Sequence, residues 1–388
     1  MTDLAIGVIG YGLRGGLSKH AHRPEEGSRV VALYDLDPSA HDRFRSDFGS
    51  GVRTTKDLDE FLSYGLDAAF VVSPDYLHEE HAVALLDAGI SIYLEKPMAI
   101  TTEGCDRILA AAQKSDGRLY LGHNMRHMPF VREMKRLIDD GAIGEPKVAW
   151  CRHFVGNGGD FYFADWHAER RYGTSLLLQK GAHDIDVLHW LCGSYAQEVT
   201  GMGDLMVYSQ EQGGGESTAW WKSAERLKRW PPKSLTGLNP AMDVEDVSML
   251  TMRLGNGILA SYQQCHFTPD YWRNYTIIGT EGRIENFGNG EPGTAIRVWN
   301  RRHDYQAVGD VEVPLEPETG GHGGADPRTV GEFLRYAREG GDTETSPVAA
   351  RYAVAAGCAG AESLRSGSIP VRVPDVDPAT VAHFGGRA

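Results

Sequence analysis

Residues 6–15 read Ile-Gly-Val-Ile-Gly-Tyr-Gly-Leu-Arg-Gly, an apolar run that ends in Gly10-x-Gly12-x-x-Gly15. Glycines at that spacing, after a strand and opening a helix, form the first turn of a dinucleotide-binding βαβ unit. Gly10 permits the tight turn, Gly12 lets the backbone approach a pyrophosphate, and Gly15 allows helix and strand to pack. The helix N-terminus brings amide donors and a positive dipole end, with Tyr11, Leu13 and Arg14 in the same turn. A second apolar run, Arg29 to Tyr34, delivers Asp35, positioned to bind ribose hydroxyls and to repel a 2'-phosphate. Asp37, directly before Pro38, is the better helix cap and leaves Asp35 to the ribose. The cofactor expected is NAD, and NADP stays open because Arg43 can fold back towards the same place.

Further along, apolar runs at Asp67 to Val72, Ile92 to Leu94 and Leu119 to Gly122 alternate with helix-length segments such as Leu77 to Ala88, closed by Gly89. From about Asn124 the rhythm changes. A helix through Arg132 to Asp140 precedes strand-like runs at Lys147 to Val155, Ala196 to Tyr208, Val247 to Arg253, Gly257 to Phe267, Tyr275 to Gly279 and Arg283 to Phe287. Helical segments at Thr174 to Leu191, Pro327 to Arg338 and Pro347 to Leu364 accompany them. The expected class is therefore α/β, with an N-terminal Rossmann doubly wound parallel sheet over 1–123. An α+β domain with a large open antiparallel sheet follows over 124–388. The stretch Ser209 to Asp243, with Trp220-Trp221 and Pro231-Pro232, reads as an insertion or lid.

With 39 Lys plus Arg against 53 Asp plus Glu, the net charge of −14 disfavours nucleic acid and anionic membrane as partners. Five dispersed cysteines without a C-x-x-C pair suggest neither disulfide framework nor zinc ribbon, and no metal site is expected. With neither a signal-like N-terminus nor a long apolar stretch, a cytoplasmic location is expected.

Three further stretches make the chain resemble the Gfo/Idh/MocA family of NAD(P)-dependent oxidoreductases. They are Val71-Val72-Ser73-Pro74-Asp75-Tyr76-Leu77-His78, Glu95-Lys96-Pro97, and Gly181-Ala182-His183-Asp184-Ile185-Asp186. The resemblance implies a cofactor site in which Ser73, Pro74 and His78 lie near the nicotinamide ribose, Glu95 orients cofactor or lysine, and Asn124 adds a contact. It implies Lys96 at the reacting carbon and sugars or cyclic polyols as substrates. It further implies a homodimer or homotetramer built through the C-terminal sheet. The family commonly has Asp four positions before the histidine, where this chain has Gln179 followed by Lys180.

The chemistry stands on the residue types as well. Oxidising a secondary alcohol requires a group that takes the hydroxyl proton, and Lys96 follows a strand's carboxyl end, the ligand-facing edge of such a sheet. His183 is the proton partner, with Lys180 a possible second cation, since Gln179 cannot share a proton. Substrate contacts are expected from Lys96, His153, Trp166, Gln179, His183 and His322. His322 lies in the flexible run Gly320 to Asp326, where Asp326 reads as a helix cap before Pro327. Two other functions remain open: glycoside cleavage through transient oxidation by NAD, and a non-catalytic cofactor-sensing regulator.

Overall fold

The computed structural model describes residues 3–156, 159–214 and 230–385. Trp220 and Trp221 of the expected lid lie outside them. Chain packing divides the protein into two compact units. One contains Met1–Met128, Thr319–Arg351 and Val376–Arg387, and the other Pro129–Glu318 and Tyr352–Asp375. The segment 319–351, expected with the second domain, thus packs as part of the first unit.

The first unit holds a six-stranded parallel sheet of β1 (Leu4–Ile9), β2 (Ser28–Tyr34), β3 (Arg53–Thr55), β4 (Ala68–Val71), β5 (Ser91–Glu95) and β6 (Leu119–Gly122), ordered β3-β2-β1-β4-β5-β6. This is the doubly wound order, whose strand sequence reverses between β1 and β4, where ligands bind at the carboxyl edge. Five strands are legible as apolar runs. Arg53-Thr54-Thr55 is not, because a three-residue polar edge strand carries no periodicity. Asp37 caps the helix Pro38–Phe48 through Ser39 N–H, as its place before proline predicts. The helix expected after the glycine turn is instead a 3-10 segment, Gly15–Ala21, too short to supply an N-terminal dipole site. Helix Ala325–Glu339 lays Phe333 against Phe70, Tyr93 and Tyr120, which explains why a late segment belongs to this unit.

The second unit holds nine strands: β7 (Pro146–Val155), β8 (Ala196–Asp204), β9 (Val247–Leu254), β10 (Leu259–Cys265), β11 (Tyr271–Gly279), β12 (Arg283–Phe287), β13 (Ala295–Trp299), β14 (Val311–Pro314) and β15 (Val371–Arg372). Their order is β14-β13-β12-β11-β7-β10-β9-β8-β15. The sheet is mostly antiparallel, with one correction to the expected pattern: β7 and β10 pair in parallel. They are separated by a long crossover rather than a hairpin, a relation that strand-to-strand spacing does not reveal. Alternation along β9 buries Ser248, Leu250, Met252 and Leu254 while the intervening residues face outward.

The single helix expected over Thr174 to Leu191 is broken. Ser175 caps a turn Leu176–Gln179, Lys180 interrupts it, and Gly181–Cys192 continues to a left-handed Gly193. A Cβ at Gly181 would lie 2.9 Å from the Tyr262 ring, so the helix begins flush against β10.

Candidate active site

In the first unit, Gly10 adopts φ +87°, and a Cβ there would lie 2.9 Å from the Ser73 backbone. At Gly12 nothing lies within 4 Å of where a Cβ would stand. That open backbone is the approach a pyrophosphate needs, so the residues present fit a dinucleotide. Leu13 beside it is 66% exposed. Gly15 abuts the Tyr11 ring, which packs edge-on against Phe44 while its hydroxyl donates to Asp47, so the Tyr11 side chain belongs to the core. Asp35 accepts from Tyr11 N–H at 2.6 Å and Asp37 N–H at 2.8 Å. These bonds fix its carboxylate beside the glycine turn and leave lone pairs for ribose hydroxyls. Arg43 donates to the Tyr11 carbonyl at 3.1 Å, next to the same turn.

Two carboxylates engage the Arg14 guanidinium: its Nε donates to Glu95 Oε1 at 2.6 Å, and its other nitrogens to Asp326 at 3.0 and 3.2 Å. Burial works to raise the Glu95 carboxyl, but the charges of Arg14 and Lys96 outweigh it and hold the group below its usual range. The second Glu95 oxygen accepts the backbone N–H of Lys96 at 2.6 Å, fixing the lysine's start at the carboxyl end of β5. His78, expected at the nicotinamide ribose, has both ring nitrogens against backbone carbonyls, Pro97 at 2.7 Å and Ser73 at 3.0 Å. It braces the Ser73-Pro74 and Glu95-Lys96-Pro97 loops together. Ser73 Oγ in turn meets His81 Nδ1 at 2.9 Å.

Asp326 is not the cap its position before Pro327 suggests; Gly324 occupies that place. Its carboxylate accepts from Arg14, from Asn124 Nδ2 at 2.9 Å, and pairs with His322 Nδ1 at 3.1 Å. Asn124 Oδ1 is buried without a hydrogen-bond partner among the described residues.

In the second unit the buried hub is Asp184, one residue after His183. It forms an ion pair with Arg273 at 2.8 Å, meets His153 Nδ1 at 3.0 Å and accepts from the Tyr275 hydroxyl. Desolvation alone would raise its carboxyl, and the Arg273 and His153 contacts reverse that, holding it well below the ordinary range. His153 is pushed down to about 3 by burial and then by the Arg273 charge, so its imidazole is neutral at pH 7. His266 is likewise lowered to about 3 by burial and by Lys180. The Lys180 ammonium lies 5.8 Å from the Tyr162 ring centroid, and Trp166 stacks on His167 at 3.7 Å. Gln179 and His183 are buried at 6% and 7% exposure.

The register aligns Ser248 on β9 with Gln264 on β10, Gln264 with His153 on β7, and His153 with Arg273 on β11. In this polar row Ser248 Oγ, Gln264 Nε2 and His153 Nε2 are buried without a hydrogen-bond partner among the described residues, and so is the neighbouring His266 Nε2. Sequence reading named only His153 of these. Gln264, at the inward position after Ala260 and Tyr262 on β10, where an apolar residue belongs, was the available signal.

Of the expected site residues, the first unit brings together Gly10, Gly12 and Asp35 around one turn, and Arg14, Glu95, Asn124 and His322 around Asp326. The second gathers His153, Gln179, Lys180 and His183 about the same helix start.

Residues 4–123 match the family model described as "Oxidoreductase family, NAD-binding Rossmann fold", and residues 131–285 match "GFO/IDH/MocA C-terminal domain". The chain is 33% identical over 193 residues to an inositol 2-dehydrogenase of Ralstonia nicotianae, covering 49% of this chain and 55% of that protein. It is 30% identical over 219 residues to a 2,7-anhydro-N-acetylneuraminate hydratase of Mediterraneibacter gnavus, covering 56% of each. The chain thus spans about half the length of these relatives. A solved structure of levoglucosan dehydrogenase with NADH and levoglucosan shares the fold, with a TM-score of 0.78 at 20% identity over 96% of this chain and all of that one. No described helix is long and apolar enough to cross a membrane.

Proposed function

Because the chain belongs to the GFO/IDH/MocA oxidoreductase family and has its NAD-binding Rossmann domain, we propose that it moves a hydride between NAD and a secondary hydroxyl or ketone of a sugar, glycoside or cyclic polyol. The observation that carries the substrate class is the row Ser248, Gln264 and His153, with buried polar atoms that lack partners. Leaving a buried donor or acceptor unmatched costs about 1–3 kcal/mol each, and a polyhydroxylated ligand is the chemistry that satisfies several at once. Kinship to proteins named for inositol and for an anhydro sugar supports the same class.

NAD, when bound, supplies the hydride acceptor. Lys96, fixed by Glu95 at the carboxyl end of β5, takes the substrate hydroxyl proton. His183 is the expected proton partner for that same hydroxyl proton, with Lys180 as the neighbouring cation. Gln179 is an amide that orients a hydroxyl without exchanging a proton. Neutral His153 donates its Nδ1–H to Asp184 and so presents Nε2 as an acceptor for a substrate hydroxyl. Trp166 and His322 complete the expected contacts. The outward sheet face carries Trp150, Met202, Met249 and Leu259, each 46% exposed or more, and we assign it to self-association as a homodimer or homotetramer.

The test is a panel of sugars and polyols in both redox directions, read by NADH absorbance. Lys96→Ala should lower kcat by about 10²- to 10⁴-fold while NADH still binds; undiminished turnover by that variant overturns the assignment. A second reading is favoured by the relative named as a hydratase. It is a reaction in which the sugar is oxidised only transiently, and it would show as product formation without net NADH.

A further inference from the structure

Asp326 is tied to groups that follow the carboxyl ends of three strands of the parallel sheet. Arg14 follows β1 and also holds Glu95, the last residue of β5; Asn124 follows β6. The carboxyl edge is where ligands lie on such a sheet, so Asp326 stands at the ligand side of its unit. Its fourth contact is His322 Nδ1 at 3.1 Å. The imidazole side chain is 45% exposed, and Nε2 makes no hydrogen bond among the described residues.

The backbone is shaped around this pair. A Cβ at Gly321 would stand 2.1 Å from Asp326 Oδ2, so only glycine leaves the carboxylate its place. His322 itself adopts φ +52° between glycines, a conformation that costs a side-chain-bearing residue about 1–2 kcal/mol. A histidine held in that conformation by a buried carboxylate, with its far nitrogen presented outward, has the arrangement of an oriented proton-transfer group. Asp326 is an acceptor only, and Arg14 and Asn124 saturate its other positions with donors. That leaves His322 Nδ1–H as the donor to it and Nε2 as the basic atom.

We propose that His322 and Asp326 form a second proton-handling dyad on the cofactor side of the site, in which Asp326 is the positioning residue and His322 Nε2 receives the proton that Lys96 removes. This rests on the oxidoreductase reading above. The sequence balances: the alcohol C–H leaves as hydride to NAD, the O–H proton passes to the Lys96 amine and then to His322 Nε2, and His322 returns it to water. The ketone, NADH and one proton result.

The test uses the full chain. Nitrogen-15 NMR of histidine-labelled, cofactor-free protein should show His322 protonated on Nδ1. Asp326→Asn, whose amide can donate to that nitrogen, should move the proton to Nε2. His322→Ala removes a half-exposed side chain and leaves the fold in place. It should lose about a hundredfold in kcat with NADH affinity unchanged, and added imidazole should restore part of the rate. A wild-type His322 protonated on Nε2, or parental kcat in His322→Ala, overturns the dyad. A wild-type protein inert across the sugar and polyol panel would instead count against the oxidoreductase reading, while the NMR result still decides the dyad.

Discussion

Asp184 shows how one residue holds the second unit together. Its carboxylate is fully buried and meets Arg273, His153, Tyr275 and the Cys151 thiol, which binds strands β7 and β11 to the helix bearing His183. Removing one partner of a buried ion pair strands the other charge and costs about 3–5 kcal/mol. Asp184→Asn should therefore lose about that much in urea unfolding, whereas replacing Asp184 and Arg273 together by apolar residues of similar size should lose less. Equal losses would show that the pair's charge is not what matters. The same substitution tests His183 indirectly, because the neighbouring hub sets where that part of the helix sits.

At the scale of elements, the glycine turn separates folding from binding. Gly10 must be glycine for two backbone reasons, its positive φ and the 2.9 Å approach of Ser73; Gly12 has open space around it. Gly10→Ala should lower thermal stability by more than about 1 kcal/mol, since an L side chain is strained there. Gly12→Ala should leave the melting temperature unchanged and weaken NADH binding, measured by fluorescence titration. A Gly12 variant that melts early and binds normally would reverse this assignment. The break at Lys180 belongs to this scale too: Gly181 against Tyr262 ends one helical turn and starts the next, placing Gln179, Lys180 and His183 together.

For the whole molecule, acid sensitivity follows from buried histidines. His153 and His266 have folded values near 3 against about 6.5 when unfolded, so between those values the unfolded chain binds more protons. Their contribution is complete above pH 6.5 and is lost as pH falls towards 3. Asp184 and Asp326, held below the usual carboxylate range, add a contribution present above about pH 4 and lost below it. Melting temperature should be level near neutrality, decline below pH 6.5 and steepen below pH 4; a profile flat from pH 7 to 4 would contradict the burial of these histidines. The outward sheet face supplies another whole-molecule test. Trp150→Arg should shift the protein to a smaller species in sedimentation while leaving its unfolding midpoint close to the parent.

The doubly wound first sheet was legible because parallel strands buried on both faces read as apolar runs, and the turn chemistry of Gly10, Asp35 and Asp37-Pro38 is local. Lys96 and His183 were legible as motifs. Four things were not. The parallel pairing of β7 with β10, the return of 319–351 to the first unit, the engagement of Arg14 by Glu95 and Asp326, and the row joining Ser248, Gln264 and His153 all unite residues far apart in the chain. Sequence alone determined the class of fold and the cofactor, since these depend on local periodicity and one turn. Tertiary structure decided which polar side chains meet, because register and packing across strands far apart in the chain are set by the whole core.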